Sequence, residues 1–171
     1  MTLTLDQTIV PSWLQLLNST TGWLDKAAAS GIGEEELLSA RLIEDMLPFA
    51  YQVKAITLHS RGAVEAVYEG VFRPSFGQPN PSSLAELRSM VDGAIAFFER
   101  LPAGELDRVA DRDMRFEIGP KRLDFTVADF LLSFSQPNFF FHATTAYGIL
   151  RMKGVGLGKL DYLGRLRLKR H

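Results

Sequence analysis

The chain has 171 residues, 46% of them hydrophobic and 23% charged, which suits one globular domain over residues 1–171 and excludes a disordered chain. A formal net charge of −1 excludes a global field that would recruit nucleic acid or an anionic membrane. With no cysteine, disulfides, thiolate metal sites and cysteine nucleophiles are excluded together, and a reducing, cytoplasmic setting is the expectation.

The N-terminal stretch lacks the basic start and unbroken apolar run of a signal peptide. Apolar stretches elsewhere fall short of the ~20 residues of a membrane span. A first helix is expected from about Asp6 to Ser30. Val10, Leu14, Leu17, Thr21, Leu24 and Ala28 recur at spacings of three and four, and Trp13 and Trp23 widen their face. Pro11 lies near its start, and Gly31 and Gly33 stop it. Glu34, Glu35 and Glu36 favour the positive end of a second helix dipole, expected to run from Glu34 to Val71 with an interruption at Pro48.

The stretch Arg73 to Pro81 is dense in Pro and Gly and reads as a loop. Ser82 or Ser83, with Glu86 at capping-box spacing, opens a third helix. Leu84, Leu87, Val91, Ile95 and Phe98 stripe it, and Pro102 and Gly104 end it. Met114 to Ile118 and Arg122 to Thr126 then alternate polar with apolar around Gly119-Pro120-Lys121, the pattern of a small β-hairpin. A last helix is expected from Val127 to Met152, closed by Gly154. The Gly-rich Val155 to Gly164 is expected to fold back over the bundle end. From Lys159 to His171 the charge is +4, against −5 for the rest. That reads as a solvated terminus or as an anion-binding or subunit-binding tail. The fold class that follows is all-α: a four-helix bundle with a small hairpin before the last helix and a C-terminal extension.

Polar residues inside apolar helical faces are the candidate site. Asp45, Gln52 and His59 lie seven apart and share one stripe of the second helix. Asn138 and His142 lie four apart in an aromatic run, Phe139-Phe140-Phe141, with Phe134 before and Tyr147 after. Amides and imidazoles in such walls are costly unless hydrogen-bonded. Two readings stand: an interior network holding helix register, and a polar pocket in the bundle core. In the second, His142, Asn138 and Gln52 are catalytic, with Asp45, His59, Arg41 and Tyr147 contacting substrate. Arg41 and Asp45, at helical i, i+4 spacing, are either an exposed ion pair or the means of holding an inward carboxylate charged. Ser133 and Ser135 lack an acidic orienter for a nucleophilic triad, and no phosphate-binding Gly loop is present.

Two runs also carry a resemblance. Arg41-Leu-Ile-Glu-Asp45-Met46-Leu-Pro48-Phe-Ala-Tyr-Gln52-Val53 resembles the second-helix signature of a domain-of-unknown-function family (nineteen ninety-three by number). Pro137-Asn138-Phe-Phe-Phe-His142, followed by Ala146-Tyr147, Leu150-Arg151, Gly154-Val155, Gly158-Lys159 and Asp161, resembles its C-terminal signature. That family is similar to the DinB-like superfamily of four-helix bundles, regarded as metalloenzymes, in which three imidazoles hold one divalent metal. The resemblance places His142 on one of those imidazole positions, with Asn138 and Gln52 on the other two. It therefore implies the bundle and its pocket, while a metal at His142 is not favoured and no cofactor is expected. It also implies a homodimer, in keeping with the large aromatic supply of 12 Phe, 4 Tyr and 2 Trp. The functional expectation is a small-molecule site running cofactor-independent isomerisation, cyclisation, elimination or hydrolysis through His142. The alternatives are a non-catalytic binding or dimerisation module and a metal-dependent enzyme with an altered ligand set.

Overall fold

The structure is a computed structural model that describes residues 3–74 and 78–169. Ser75, Phe76 and Gly77 of the expected loop, and Arg170 and His171 of the basic tail, lie outside the described residues.

The first helix, α1, spans Leu5–Ala28. Thr4 caps it through a reciprocal box with Gln7, which satisfies two otherwise orphaned N–H groups. Pro11 sits inside it, yet Ile9, Trp13, Leu16, Leu17, Trp23 and Leu24 keep one buried face.

The expected second helix does not run through from Glu34. A short α2, Glu34–Ser39, ends where Ala40 turns extended, and α3 begins at Phe49. Pro48 is the cause. It has no N–H to donate, and its ring pushes the preceding residue out of the helical region. The segment between closes as a loop, with the Phe49 N–H donating to the Ala40 carbonyl at 2.8 Å. The helix then continues as α3 (Phe49–Thr57), a π turn (Leu58–Gly62) and α4 (Ala63–Glu69). Gly70, at φ +72°, ends it in the left-handed conformation that glycine adopts without a Cβ penalty.

Ser83 caps α5, Leu84–Arg100, by accepting from the Glu86 N–H at 3.0 Å. The expected hairpin forms as β2 (Asp113–Ile118) and β3 (Lys121–Thr126), antiparallel with Asp113 opposite Thr126. The sheet has a third strand that sequence patterning did not show. β1, Val71–Phe72, pairs parallel to β2 with Phe72 opposite Phe116. A two-residue strand is too short to display a period.

The last long stretch, α6 (Val127–Asp129), a π turn (Phe130–Ser135) and α7 (Gln136–Met152), is continuous as expected. A short α8, Lys159–Leu163, folds back onto α1. There the Trp23 indole donates to the Asp161 carbonyl at 2.9 Å and Tyr162 stacks on Trp23.

The architecture is mostly helical with a small three-stranded sheet. α1 packs along α5 and α3 along α7. One core joins them, with Trp13 between Phe98 and Phe139. The sheet leans on the last helix through aromatic rings. Phe72, Phe116 and Phe125, one from each strand, all meet Phe134 at 4.9–6.4 Å between centroids. No helix of the described residues is long and apolar enough to cross a membrane.

Candidate functional site

α3 and α7 pack face to face, and this brings Gln52 and His142 together from positions 90 residues apart. Gln52 is 2% exposed, and its Oε1 lies 2.7 Å from His142 Nδ1. The Gln52 amide is oriented by its other end, where Nε2 donates to the Leu47 carbonyl at 2.8 Å. Oε1 is therefore the acceptor toward the imidazole. His142 must carry its proton on Nδ1, which leaves Nε2 with a free lone pair.

His59 stands beside this pair. The two imidazoles lie nearly parallel with centroids 5.6 Å apart. His59 is 8% exposed and packs on Phe72 and Phe134. Its Nδ1 is buried without a hydrogen-bond partner. Burial in this aromatic wall pushes His142 down to about 4. It pushes His59 down to about 3, with the neighbouring His142 charge adding to the effect. Both rings are neutral near pH 7.

The two π turns meet at this point. The Ser135 hydroxyl, on the last long helix, donates to the His59 carbonyl at 3.2 Å in a fully buried contact. A π turn displaces a carbonyl from the regular ladder, and this hydroxyl supplies a donor for it. Such widened turns recur at functional sites because they re-aim side chains within a helix.

Asn138 lies one helical turn before His142 and is half-buried. Its Nδ2 donates to the Phe134 carbonyl of its own helix at 2.7 Å. The other expected contact residues are placed elsewhere. Arg41 and Asp45 fall in the loop before Pro48, both exposed, so their helical i, i+4 pairing is not formed. The Arg41 guanidinium instead donates to the Met46 carbonyl. Tyr147 faces the α8 end, packing on Trp23 and Tyr162 with its hydroxyl accepting from Arg151 at 3.1 Å. Phe72 belongs to the cluster and was missed, since a phenylalanine in a two-residue strand carries no pattern that marks it; Ser135, weighed only as a nucleophile, belongs to it as a hydrogen-bond donor.

The donor set does not fit the three-imidazole metal site of the superfamily. His59 and His142 supply two rings, but the Gln52 carbonyl is spent on His142 Nδ1–H. Among the described residues no three His, Cys, Asp or Glu side chains gather.

The chain belongs to the family described as domain of unknown function (DUF1993), whose model matches residues 5–163. Its fold is similar to the crystal structure of a DinB family member protein from Shewanella denitrificans, at TM-score 0.76 and 27% identity, covering 95% of this chain and 93% of that one. It is also similar to a DinB-like protein, YjoA, from Bacillus subtilis, at TM-score 0.58 and 17% identity, covering 86% and 92%. No curated protein matches the chain.

Proposed function

We propose that this DinB-like chain, its four long helices acting as one bundle, binds a small organic molecule against the Gln52–His142–His59 cluster. There His142 Nε2 serves as a general base. The observation that carries the reading is the locked tautomer. Gln52 pins the proton on Nδ1 and leaves the other nitrogen unprotonated near neutral pH. Gln52 thereby acts through His142 as a positioning residue. Asn138 keeps a second amide N–H beyond the one given to Phe134, a donor for a carbonyl or enolate oxygen. A proton abstracted by Nε2 and returned at a neighbouring atom is an isomerisation. Lost with a leaving group, it is an elimination. Neither requires a cofactor.

The competing reading is a packing network without chemistry. Half-exposure of His142 and Asn138 favours the pocket, since a purely structural network has no need of solvent access. The chain also presents Leu42, Ile43, Leu47 and Phe141 at 43–61% exposure. Leu42 lies against Gly148, one heptad along the face that carries Phe141. This apolar patch supports assembly as a homodimer.

His142→Gln tests the function. The amide retains one hydrogen bond at similar volume, so the fold survives. Turnover or ligand response falls by about 10²–10⁴-fold, the usual share of a positioned proton-transfer group. A lower melting temperature with undiminished ligand response overturns the pocket in favour of the network.

A further inference from the structure

A cavity of about 300 Å³ lies along another face of the α3–α4 rod. Tyr51, Ala55, Leu58 and Gly62 line it at helical spacing, together with Met90 of α5 and Pro74 and Gln78 of the loop after β1. This face is turned away from the Gln52 and His59 stripe. Tyr51 is the shared wall: its ring lines the cavity and meets the His142 ring at 6.0 Å.

The lining is mostly hydrocarbon, with two cations, Lys54 and Arg61, and one carboxylate, Glu65, among its polar groups. Arg61 is already matched. Its Nε donates to Glu65 at 2.8 Å, and its guanidinium lies over the Phe97 ring at 5.8 Å. Lys54 is not. Its ammonium reaches the neutral carbonyls of Pro79 at 3.3 Å and Gln78 at 3.5 Å. Among the described residues it forms no ion pair with a carboxylate. An ammonium held by two long neutral contacts beside an apolar cavity gains most from an anionic oxygen pair.

We infer that this cavity binds a small aliphatic monocarboxylate. Its chain lies among Ala55, Leu58 and Met90, and its carboxylate accepts from Lys54 Nζ. A cavity of about 300 Å³ is at the small end of ligand pockets and suits a short alkyl chain carrying one carboxylate. Single-headed ligands fit because the second cation is neutralised by Glu65. The site borders the His142 ring through Tyr51 but does not depend on His142 acting as a base.

Calorimetric titration of the full chain with sodium butanoate, hexanoate and octanoate, and with octan-1-ol, tests this. Affinity rises about fourfold per methylene up to octanoate, following the transfer of each buried group out of water. Octan-1-ol binds about tenfold more weakly, for want of the charge-assisted bond. Lys54→Met removes that difference, and Met90→Trp fills the cavity and abolishes binding. His142→Gln retains saturable octanoate binding that Lys54→Met still weakens, which separates this site from the acid–base reading. On the unsubstituted protein, intermolecular Overhauser contacts from the octanoate methyl to Met90 and Leu58 locate the ligand without any variant. Any of four results overturns the inference: no saturation at millimolar octanoate, equal affinity for octanoate and octan-1-ol, contacts at Leu42 and Phe141 instead, or loss of binding in His142→Gln.

Discussion

Gln52→Leu is the sharpest perturbation of this site. Leucine keeps the volume of a side chain that is 2% exposed, while removing both polar ends. Two groups lose partners: the Leu47 carbonyl, bonded at 2.8 Å, and His142 Nδ1–H, at 2.7 Å. A buried group left unpaired costs about 1–3 kcal/mol. Leu47 is exposed as a residue, so water replaces part of its loss, and leucine burial returns some more. The net cost is about 1–3 kcal/mol. At about 2–4 °C per kcal/mol for a chain of this size, the melting temperature falls by about 2–12 °C. The second effect is on the proton. Without the acceptor at Nδ1, the imidazole is free to hold its proton on Nε2, and the basic nitrogen is no longer presented. Two-bond proton–nitrogen correlation spectra of nitrogen-labelled protein at pH 7 read this directly. The unsubstituted chain shows His142 Nε2 as an unprotonated, pyridine-type nitrogen and Nδ1 as the protonated one. Gln52→Leu shows a mixture. An unsubstituted His142 that already carries its proton on Nε2 refutes the argument at its root.

Three further outcomes are expected. Burial holds the folded-state values of His142 near 4 and His59 near 3, below the ordinary 6.5, so the unfolded chain binds protons first on acidification. Stability is therefore full above about pH 6.5 and declines toward pH 4, by about 3 kcal/mol for His142 alone. Urea midpoints at pH 7 and 4.5 measure the decline, and His59→Gln shrinks it; an identical decline in that variant counts against His59. Ser135→Ala leaves the His59 carbonyl in its π turn without a side-chain donor and costs about 1–3 kcal/mol in chemical denaturation. A variant as stable as the parent shows that the carbonyl has another partner. Native mass spectrometry yields a species of about 38 kDa, twice the 19.1 kDa chain, without bound zinc or nickel. A monomer, or one metal per chain lost in His142→Ala, contradicts the proposed assembly or the proposed chemistry respectively.

The long helices were legible because each carries its own period. The apolar stripe of Leu84, Leu87, Val91 and Phe98, and the Ser83 cap before it, state α5 without reference to any other part of the chain. The hairpin was legible for the same reason, since the alternation of β2 and β3 and the turn at Gly119 are local. Pro48 marked a break, but not its size, because how far a helix fails after a proline depends on what captures the loosened segment. Here that is the Ala40 carbonyl and the Leu42 contact with α7. The candidate site divides along the same line. Gln52, His59 and His142 stood out as polar residues on apolar faces, a property of composition and spacing. Which nitrogen of His142 is free was decided by one amide reaching across from α3 and anchored behind at Leu47. Arg41, Asp45 and Tyr147 had equally suggestive positions along the chain, yet packing sent them to a loop and to the α8 end. The two π turns and the parallel pairing of β1 with β2 have no local signature at all. They arise where the Ser135 hydroxyl meets the His59 carbonyl and where Phe72 meets the sheet, contacts between residues far apart in sequence that only the closed core brings within a hydrogen-bond length or a ring diameter.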